Sequence, residues 1–310
     1  MLYPEASVKV RFFLALLFVL LLICCFVPAQ QVAITFDDLP AHGDLPPGVT
    51  RADVARKILA VLKRHRVKEA YGFINASKLE KVPEDKEVLN LWLQAGYPLG
   101  SHSYSHMDVA ACSAEQFEAD IAANEPVLKS LMPSGDWHWF RYPFLREGDT
   151  PEKYHAVHDY LQQHGYRVAQ VTLDIGDWAW QGPYARCMAK KDVESLNWLE
   201  QSYMEIAEED INLGQNVARL LFGHDVRHVL LLHVGAFNAV MLPQLLDLLK
   251  KKHFQVVPLA KAQSDPVYKI TPELLTNWDG GLLDQILQSR KLQLPPHKAR
   301  PMQKLSEICQ

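Results

Sequence analysis

The amino-acid sequence predicts an α/β fold in which parallel strands alternate with helices around a barrel. Apolar segments of strand length alternate about seven times with segments of helical periodicity, which is typical of β/α units within one domain. Polar residues suited to catalysis recur at the C-terminal ends of five of these strands. No glycine-rich phosphate loop follows the first strand, so a barrel is favoured over an open, doubly wound sheet.

The first predicted strand ends at two adjacent carboxylates. Residues 32–36 are apolar or β-branched, Asp37 and Asp38 follow them, and Pro40 ends strand pairing. Two neighbouring ionised carboxylates repel each other and are costly to desolvate, so we expect one of them to bind a cation. The alternative is a loop in which one of them caps the next helix.

The alternation continues up to residue 263. The other predicted strands are residues 69–75, 97–100, 138–142, 166–173, 229–233 and 254–257. The predicted helices are residues 51–66, 84–95, 113–131 with Ser113 as N-cap, 151–164 and 239–252, and residues 191–222 are a long helical insertion. The pattern weakens from residue 264. Pro295, Pro296 and Pro301 predict that residues 264–310 are an extension packed on the barrel that residues 30–263 form.

The first 29 residues differ from the rest. Lys9 and Arg11 precede an unbroken apolar run at residues 12–27, and small residues follow near Ala29, which is the layout of a secretory signal peptide. An uncleaved N-terminal anchor is the alternative, although the run is shorter than the roughly 20 apolar residues of a membrane span. We therefore expect a secreted, periplasmic or cell-envelope protein whose membrane contact is limited to this segment.

The net charge limits the classes of binding partner, and the cysteine content limits the number of disulfide bonds. A net charge of −4 without any Lys/Arg run argues against nucleic acid as a partner. Removal of the leader would leave Cys112, Cys187 and Cys309 in an oxidising compartment. Three thiols allow one internal bridge, and the sequence does not say which two of them pair.

Two histidines at one strand end indicate a metal site. His102 and His106 are four residues apart, so on a helical turn both imidazoles would lie on one face and could share an ion. Two surface histidines are the alternative for such a pair taken alone. Together with one carboxylate of the Asp37–Asp38 pair they would form a three-ligand catalytic zinc site, and the other carboxylate would be free to act as a base.

In their order along the chain, these strand-end segments resemble the five motifs of polysaccharide deacetylases, the NodB-like members of carbohydrate esterase family 4. The segments are Thr35-Phe36-Asp37-Asp38, His102 to His106, Arg141-Tyr142-Pro143-Phe144, Asp174 to Trp178 and Leu231-Leu232-His233. The resemblance covers residues 31–260. It implies an irregular (β/α)7 barrel of the NodB type and a hydrolase that removes acetyl groups from an N-acetylated glycan, chitin-like or peptidoglycan.

The resemblance implies a metal site and a general base. Asp38, His102 and His106 would bind a divalent ion, Zn²⁺ in the first place, with Co²⁺ or Ni²⁺ as alternatives because such a ligand set accepts several metals. Asp37 would be the general base that takes a proton from the attacking water. Arg141 would pair with Asp37 and hold it ionised and aimed.

The resemblance also implies a general acid and a pocket wall. His233 would protonate the departing amine, and Asp174 would orient its imidazole and favour the charged form. The backbone N–H of Phe144 would help to hold the oxyanion. Trp178 and Leu231 would line an apolar pocket for the acetyl methyl group.

Alternatives stay open for single residues and for the function. Arg141 could form a surface ion pair, and His233 could be a core histidine with satisfied hydrogen bonds. Asp177 is interpreted as a turn or cap residue. The competing functions are an esterase acting on O-acetylated polysaccharide of the xylan type and a cell-wall glycan-binding protein without turnover.

The sequence departs from the family pattern at several places around the expected groove. Leu39 stands where many members have glycine, and Val234 follows His233 in place of an aspartate. Phe144 replaces a common tyrosine, and residues 180–222 are inserted. Leu39 and Val234 touch the rim of the groove, and together with the insertion they bear on the substrate more than on the chemistry. The Phe144 replacement should be harmless if only its backbone is used.

Overall fold

The protein is built on one curled sheet of parallel strands covered by helices. The computed structural model describes residues 30–272 and 280–310, so the predicted signal peptide or anchor at residues 1–29 lies outside the described residues. The described strands are β1 (Gln30–Leu39), β2 (Ala70–Ile74), β3 (Leu99–Ser101), β4 (Trp139–Phe140), β5 (Arg167–Val168), β6 (Leu173–Asp174), β7 (His228–His233) and β8 (Phe254–Val256).

Strand β1 lies in the interior of the sheet and pairs with three other strands. The strand order is β5-β4-β3-β2-β1-β7-β6, with β8 paired to the start of β1, and every described pair is parallel. Parallel strands end along one common edge, so their C-terminal residues converge there. The predicted α/β fold of alternating parallel strands and helices is confirmed.

Helices of very different length connect the strands. The described helices are α1 (Arg51–Arg64), α2 (Lys78–Lys81), α3 (Lys86–Gln94), α4 (Ala114–Leu131), α5 (Pro151–Gln163), α6 (Gln181–Lys190), α7 (Val193–Phe222), α8 (Ala236–Lys251), α9 (Leu259–Gln263), α10 (Leu282–Ser289) and α11 (Met302–Glu307). The predicted helical insertion is α7, with α6 directly before it. Over the described part of the chain, each helix is too short or too polar to cross a lipid bilayer.

The strand predicted at residues 166–173 is instead two short strands at opposite ends of the sheet order. β5 pairs with β4, whereas β6 pairs with β7. Between them, the N–H of Ala169 donates to the carbonyl of Phe140 at 2.7 Å and that of Thr172 to the carbonyl of Val229 at 3.1 Å. The apolar segment therefore connects the two ends of the strand order, and each of its two short strands pairs with a different neighbour.

Local side chains fix where two of the long helices begin. The hydroxyl of Ser113 accepts a hydrogen bond from the N–H of Gln116, and the Gln116 side chain accepts one from the N–H of Ser113. Thr50 and Asp53 make the same reciprocal pair at the start of α1. Each pair is a capping box that satisfies two backbone donors at a helix N-terminus, and the predicted N-cap at Ser113 is confirmed.

The centre of the sheet is buried on both faces. All residues of β1 after the first two are buried, as is usual for a parallel strand covered by helices on either side. Helix α8 packs its leucines inward, and each fully buried leucine contributes about 1.5–3 kcal/mol. The carboxylates that end β1 therefore lie in an apolar surrounding and need partners inside the protein.

The C-terminal extension is tied to the outer helices. Cys187 in α6 forms a disulfide with Cys309, 122 residues further along the chain, and Cys112 is a free thiol. The Nη2 group of Arg186 donates to the backbone carbonyls of Leu305 at 2.9 Å and Ile308 at 3.1 Å. This bridge settles the pairing that the sequence left open.

Removal of the disulfide is expected to destabilise the fold. The double variant Cys187→Ser, Cys309→Ser should lose about 2–5 kcal/mol of unfolding free energy, because the bridge closes a long loop in the unfolded chain. Urea unfolding measures the loss, and Cys112→Ser is the matched control that should stay within about 1 kcal/mol of the wild type. Equal stability of the double variant and the control would contradict the expectation.

Candidate functional site

A pocket with a volume of about 220 Å³ opens at the C-terminal edge of the sheet. Apart from Arg141, which is buried and contacts Asp37, every site residue expected from the sequence lines this pocket. The lining residues are Asp37, Asp38, His42, His102, His106, Tyr142, Phe144, Leu145, Asp174, Trp178, Leu231 and His233.

The two carboxylates at the end of β1 face different partners. Asp37 is the last residue of β1 in register with β7, where it lies opposite His233. Asp38 has a φ of 69°, a left-handed conformation that aspartate tolerates better than most residues. The register of β1 against β2 shifts between Phe36 and Leu39, and each of the two carboxylates in this irregular stretch has its own set of hydrogen-bond donors.

Asp37 is bound to a buried arginine. The Nη1 group of Arg141 lies 3.1 Å from both carboxylate oxygens of Asp37, and its Nε donates to the carbonyl of Ala169 at 2.6 Å. Its Nη2 donates to the Thr35 hydroxyl at 3.2 Å. Burial raises the pKa of Asp37 to about 6, although the charge of Arg141 acts in the opposite direction. The pair lies inside the protein and not at its surface.

Asp38, His102 and His106 bring three potential metal ligands together, with all ligand atoms within 4.8 Å of one another. The Nδ1–H of His102 donates to the carbonyl of Arg141 at 2.8 Å, which leaves Nε2 available as a ligand. The Nε2 atom of His106 lies 3.6 Å from Asp38 Oδ1. Burial lowers the pKa of both imidazoles and favours the neutral form that binds metals. The donor set fits a divalent ion such as Zn²⁺.

Two further residues contact Asp38 that the sequence reasoning did not single out. His42 Nδ1 lies 2.7 Å from Asp38 Oδ2, and the Lys78 ammonium lies 3.0 Å from Oδ1. Burial raises the pKa of Asp38, but the His42 hydrogen bond and the Lys78 charge outweigh it and hold that pKa well below its usual range. The spacing of His42, four residues after Asp38, was a local signal for this contact. Lys78 lies on α2 and had no local signal.

The partner of His233 is Asp177, which corrects the predicted partner Asp174. The Nδ1–H of His233 donates to Asp177 Oδ1 at 2.8 Å, and the backbone N–H of His233 donates to Oδ2 at 2.7 Å. Asn238 also donates to Asp177. Burial lowers the pKa of His233, but the charge of Asp177 and its hydrogen bond outweigh burial and raise that pKa to about 9.

Asp174 has different partners because the chain turns sharply after it. Its Oδ1 atom accepts a hydrogen bond from the N–H of Gly176, whose φ is 61°. The Nη2 group of Arg300, in the C-terminal extension, donates to the carbonyl of Asp174 at 2.6 Å and to Asp210 Oδ2 at 3.2 Å. The turn carries Asp177, not Asp174, inward to His233.

Apolar side chains form the mouth and wall of the pocket. Phe144 is 40% exposed and Trp178 is 41% exposed, so both rings present a face to solvent at the opening. The Phe144 ring lies edge-on to His106, with 4.6 Å between ring centroids. Leu231 is buried in the wall, on β7 two residues before His233. The pocket can therefore take a partly apolar ligand that reaches the polar floor.

A family model described as polysaccharide deacetylase matches residues 27–169. Among curated proteins, a peptidoglycan-N-acetylglucosamine deacetylase of Bacillus cereus is 32% identical over 148 residues, which are 48% of this chain and 46% of that protein. A chitin deacetylase of Arthroderma benhamiae is 20% identical over 236 residues, which are 76% of this chain and 52% of that protein. The chain thus spans about half the length of the curated relatives it matches.

Solved structures share the fold. The chitin deacetylase from the fungal pathogen Colletotrichum lindemuthianum has a TM-score of 0.54 and 19% identity, with 82% of this chain and 92% of that chain covered. A family 4 pseudoenzyme from Bacillus anthracis has a TM-score of 0.52 and 17% identity, with 76% of this chain and 65% of that chain covered. Because a pseudoenzyme has the same fold, turnover must be argued from the side chains.

The region that the family model matches contains the central strand and the first three strand-end motifs. The fourth and fifth motifs lie beyond it, and the pocket brings their side chains to the same place. The curled parallel sheet agrees with the family match and with the solved structures that share the fold. Residues 27–169 therefore match the polysaccharide deacetylase family, and the fold of the described chain is shared with the chitin deacetylase from Colletotrichum lindemuthianum.

Proposed function

We propose that the protein hydrolyses N-acetyl groups on a glycan, either chitin-like or peptidoglycan, in a metal-dependent reaction. One observation carries the proposal, namely that a single pocket brings three kinds of group together. These are the Asp37 carboxylate paired with Arg141, the His233 imidazole paired with Asp177, and the three potential metal ligands. These are the parts that general acid–base hydrolysis of an amide needs. The match to deacetylases supports the same reaction.

Asp38, His102 and His106 would hold the metal ion, which we expect to be Zn²⁺, with Co²⁺ or Ni²⁺ as alternatives. When bound, such an ion lowers the pKa of water and polarises a carbonyl group. The hydrogen bond from His102 to the Arg141 carbonyl fixes the tautomer and the ring orientation before any metal arrives.

Asp37 would act as the general base. A pKa of about 6 makes its carboxylate a better proton acceptor than an exposed aspartate, while most of it is still ionised at neutral pH. Arg141 holds both of its oxygens from one side, which fixes the orientation of the carboxylate. Asp37 Oδ2 also lies 3.7 Å from His102 Nε2, so the base is next to the ligand set.

His233 would act as the general acid. With a pKa of about 9, its imidazole is protonated at neutral pH and can donate a proton from Nε2 to the departing amine nitrogen. Asp177 accepts from Nδ1 and so directs Nε2 away from itself. Asp177 thereby takes the orienting role that the sequence analysis gave to Asp174.

Phe144, Trp178 and Leu231 would bind the sugar and its acetyl group. Exposed aromatic faces at the mouth suit the apolar faces of sugar rings, and a buried leucine suits the acetyl methyl group. The backbone N–H of Phe144 would contribute to the oxyanion hole. We further propose residues 30–263 as the catalytic domain, residues 264–310 as its extension, and a secreted or cell-envelope location.

Acetate release tests the function directly. The zinc-loaded protein is expected to release acetate from acetylated chito-oligosaccharides or peptidoglycan, and Asp37→Asn should lower kcat by about 10²–10⁴-fold because the base is lost. Asp44→Asn, an exposed neighbour, is the matched control and should keep full activity. If the zinc-loaded wild type releases no acetate from any acylated glycan or small amide, the proposal is wrong.

The alkaline limb of the pH–rate profile tests the acid. His233 is protonated below its pKa of about 9, so activity should fall as pH rises through that value. In Asp177→Asn the charge that raises this pKa is gone, and the fall should begin at lower pH. Asp174→Asn is the matched control. An unshifted limb in Asp177→Asn, or an equal shift in both variants, would refute the assignment.

Metal affinity tests the ligand set without any substrate. Loss of a residue that only hydrogen-bonds to a metal ligand weakens metal affinity by about 10–100-fold. His102→Ala should weaken Zn²⁺ binding by more than this, because it removes a ligand itself. Competition with a chromophoric chelator measures the affinity. His155→Ala, at an exposed position, should bind like the wild type. Unchanged affinity in His102→Ala would rule out this ligand set.

A further inference from the structure

A second group of three ligand atoms lies in the same pocket and shares one residue with the first. Ligand atoms of Asp38, His42 and His233 also lie within 4.8 Å of one another. We propose that Asp38, His42 and His233 form a second, weaker binding site for a transition-metal ion such as Zn²⁺, and that its occupation inhibits the enzyme. Two imidazoles and one carboxylate make a ligand set that suits this class of ion.

The Asp38 carboxylate is oriented to serve both sites. Oδ1 lies on the side of His106, at 3.6 Å from its Nε2, whereas Oδ2 lies 2.7 Å from His42 Nδ1. One carboxylate can therefore offer one oxygen to each ion. Carboxylates that bridge two metal ions about 3.5–4 Å apart are common in hydrolases. The second ion would replace the hydrogen bond between His42 and Asp38.

His42 is anchored and is not a loose surface histidine. Its N–H donates to the carbonyl of Val234 at 3.1 Å, and its own carbonyl accepts from Arg51 Nη1 at 3.0 Å. Its ring lies against that of His233, with 4.5 Å between ring centroids. The backbone of His42 is therefore held by the residue that follows β7 and by the side chain of the first residue of α1, and little ordering is needed for an ion to bind.

His233 supplies a nitrogen that is already oriented. Its Nδ1–H donates to Asp177, so Nε2 is the atom left for the pocket. A carboxylate behind a metal-binding histidine is the usual second partner of such a ligand. Under the proposed function the same Nε2 carries the proton for the leaving group. An ion bound there would remove the general acid, and this inhibitory part of the inference rests on the proposed function.

The second site should be the weaker of the two. Its carboxylate is shared with the first site, and an ion at the first site adds positive charge close by. Two positive ions held by the same carboxylate repel each other strongly in a pocket of low polarity. Filling of the second site should therefore require a higher free Zn²⁺ concentration than filling of the first.

The number of bound ions tests the site. Metal-free full-length protein is dialysed against rising free Zn²⁺ and its metal content is measured. Wild type should bind two equivalents of Zn²⁺ in two steps. His42→Asn and His42→Gln should bind only the tighter equivalent. The control His224→Asn, at an exposed position outside the pocket, should bind two equivalents. One equivalent in the wild type at every concentration, or two in both folded His42 variants, would overturn the proposal.

Acetate release at rising Zn²⁺ tests the inhibition. Wild-type activity should rise as the first equivalent binds and fall as the second binds, and the fall should be absent in His42→Asn. An equal fall in both proteins would overturn the inhibitory role. Because the dialysis needs no substrate, a protein that binds two ions and releases no acetate refutes the proposed function and leaves the second site standing.

Discussion

The repulsion between Asp37 and Asp38 is the constraint on which the whole site depends. Two buried carboxylates on adjacent residues cannot share one environment without protonation of one of them. The register of β1 against β2 shifts between Phe36 and Leu39, and each carboxylate in this irregular stretch has its own cationic or hydrogen-bonding partners. Arg141 lies at Asp37, while Lys78 and His42 lie at Asp38. The division gives the two carboxylates opposite pKa shifts, which suits one as a base and the other as a ligand.

Arg141 connects the Asp37 carboxylate to several strands of the sheet and to His102. Its guanidinium binds Asp37, the Thr35 hydroxyl and the carbonyl of Ala169, in the segment that connects the two ends of the strand order. Its carbonyl accepts the Nδ1–H of His102. A buried ion pair adds little net stability, because desolvation offsets the attraction, but loss of one partner leaves a buried charge. Arg141 therefore fixes geometry more than it stabilises the fold.

The sequence was sufficient for the elements and most of the pocket, because periodicity and strand-end polarity are local signals. It was insufficient where two carboxylates competed for one partner. Asp174 ends β6 and Asp177 follows three residues later, and only the turn at Gly176 decides which of them faces His233. Arg300, from the C-terminal extension, contacts the other one. A contact between residues 126 positions apart leaves no trace in local sequence.

The rigidity of the pocket differs from one half to the other. Asp37 and His233 lie on paired strands in direct register, so backbone hydrogen bonds set their spacing near the about 4.8 Å between strands. The ligands His106 and His42 lie after strand ends, on loops, and Phe144 at the mouth has a φ of 57°. Loops vary and adjust more easily than paired strands. Differences in metal and glycan preference should therefore arise in the loop half, while the spacing of base and acid stays fixed by the sheet.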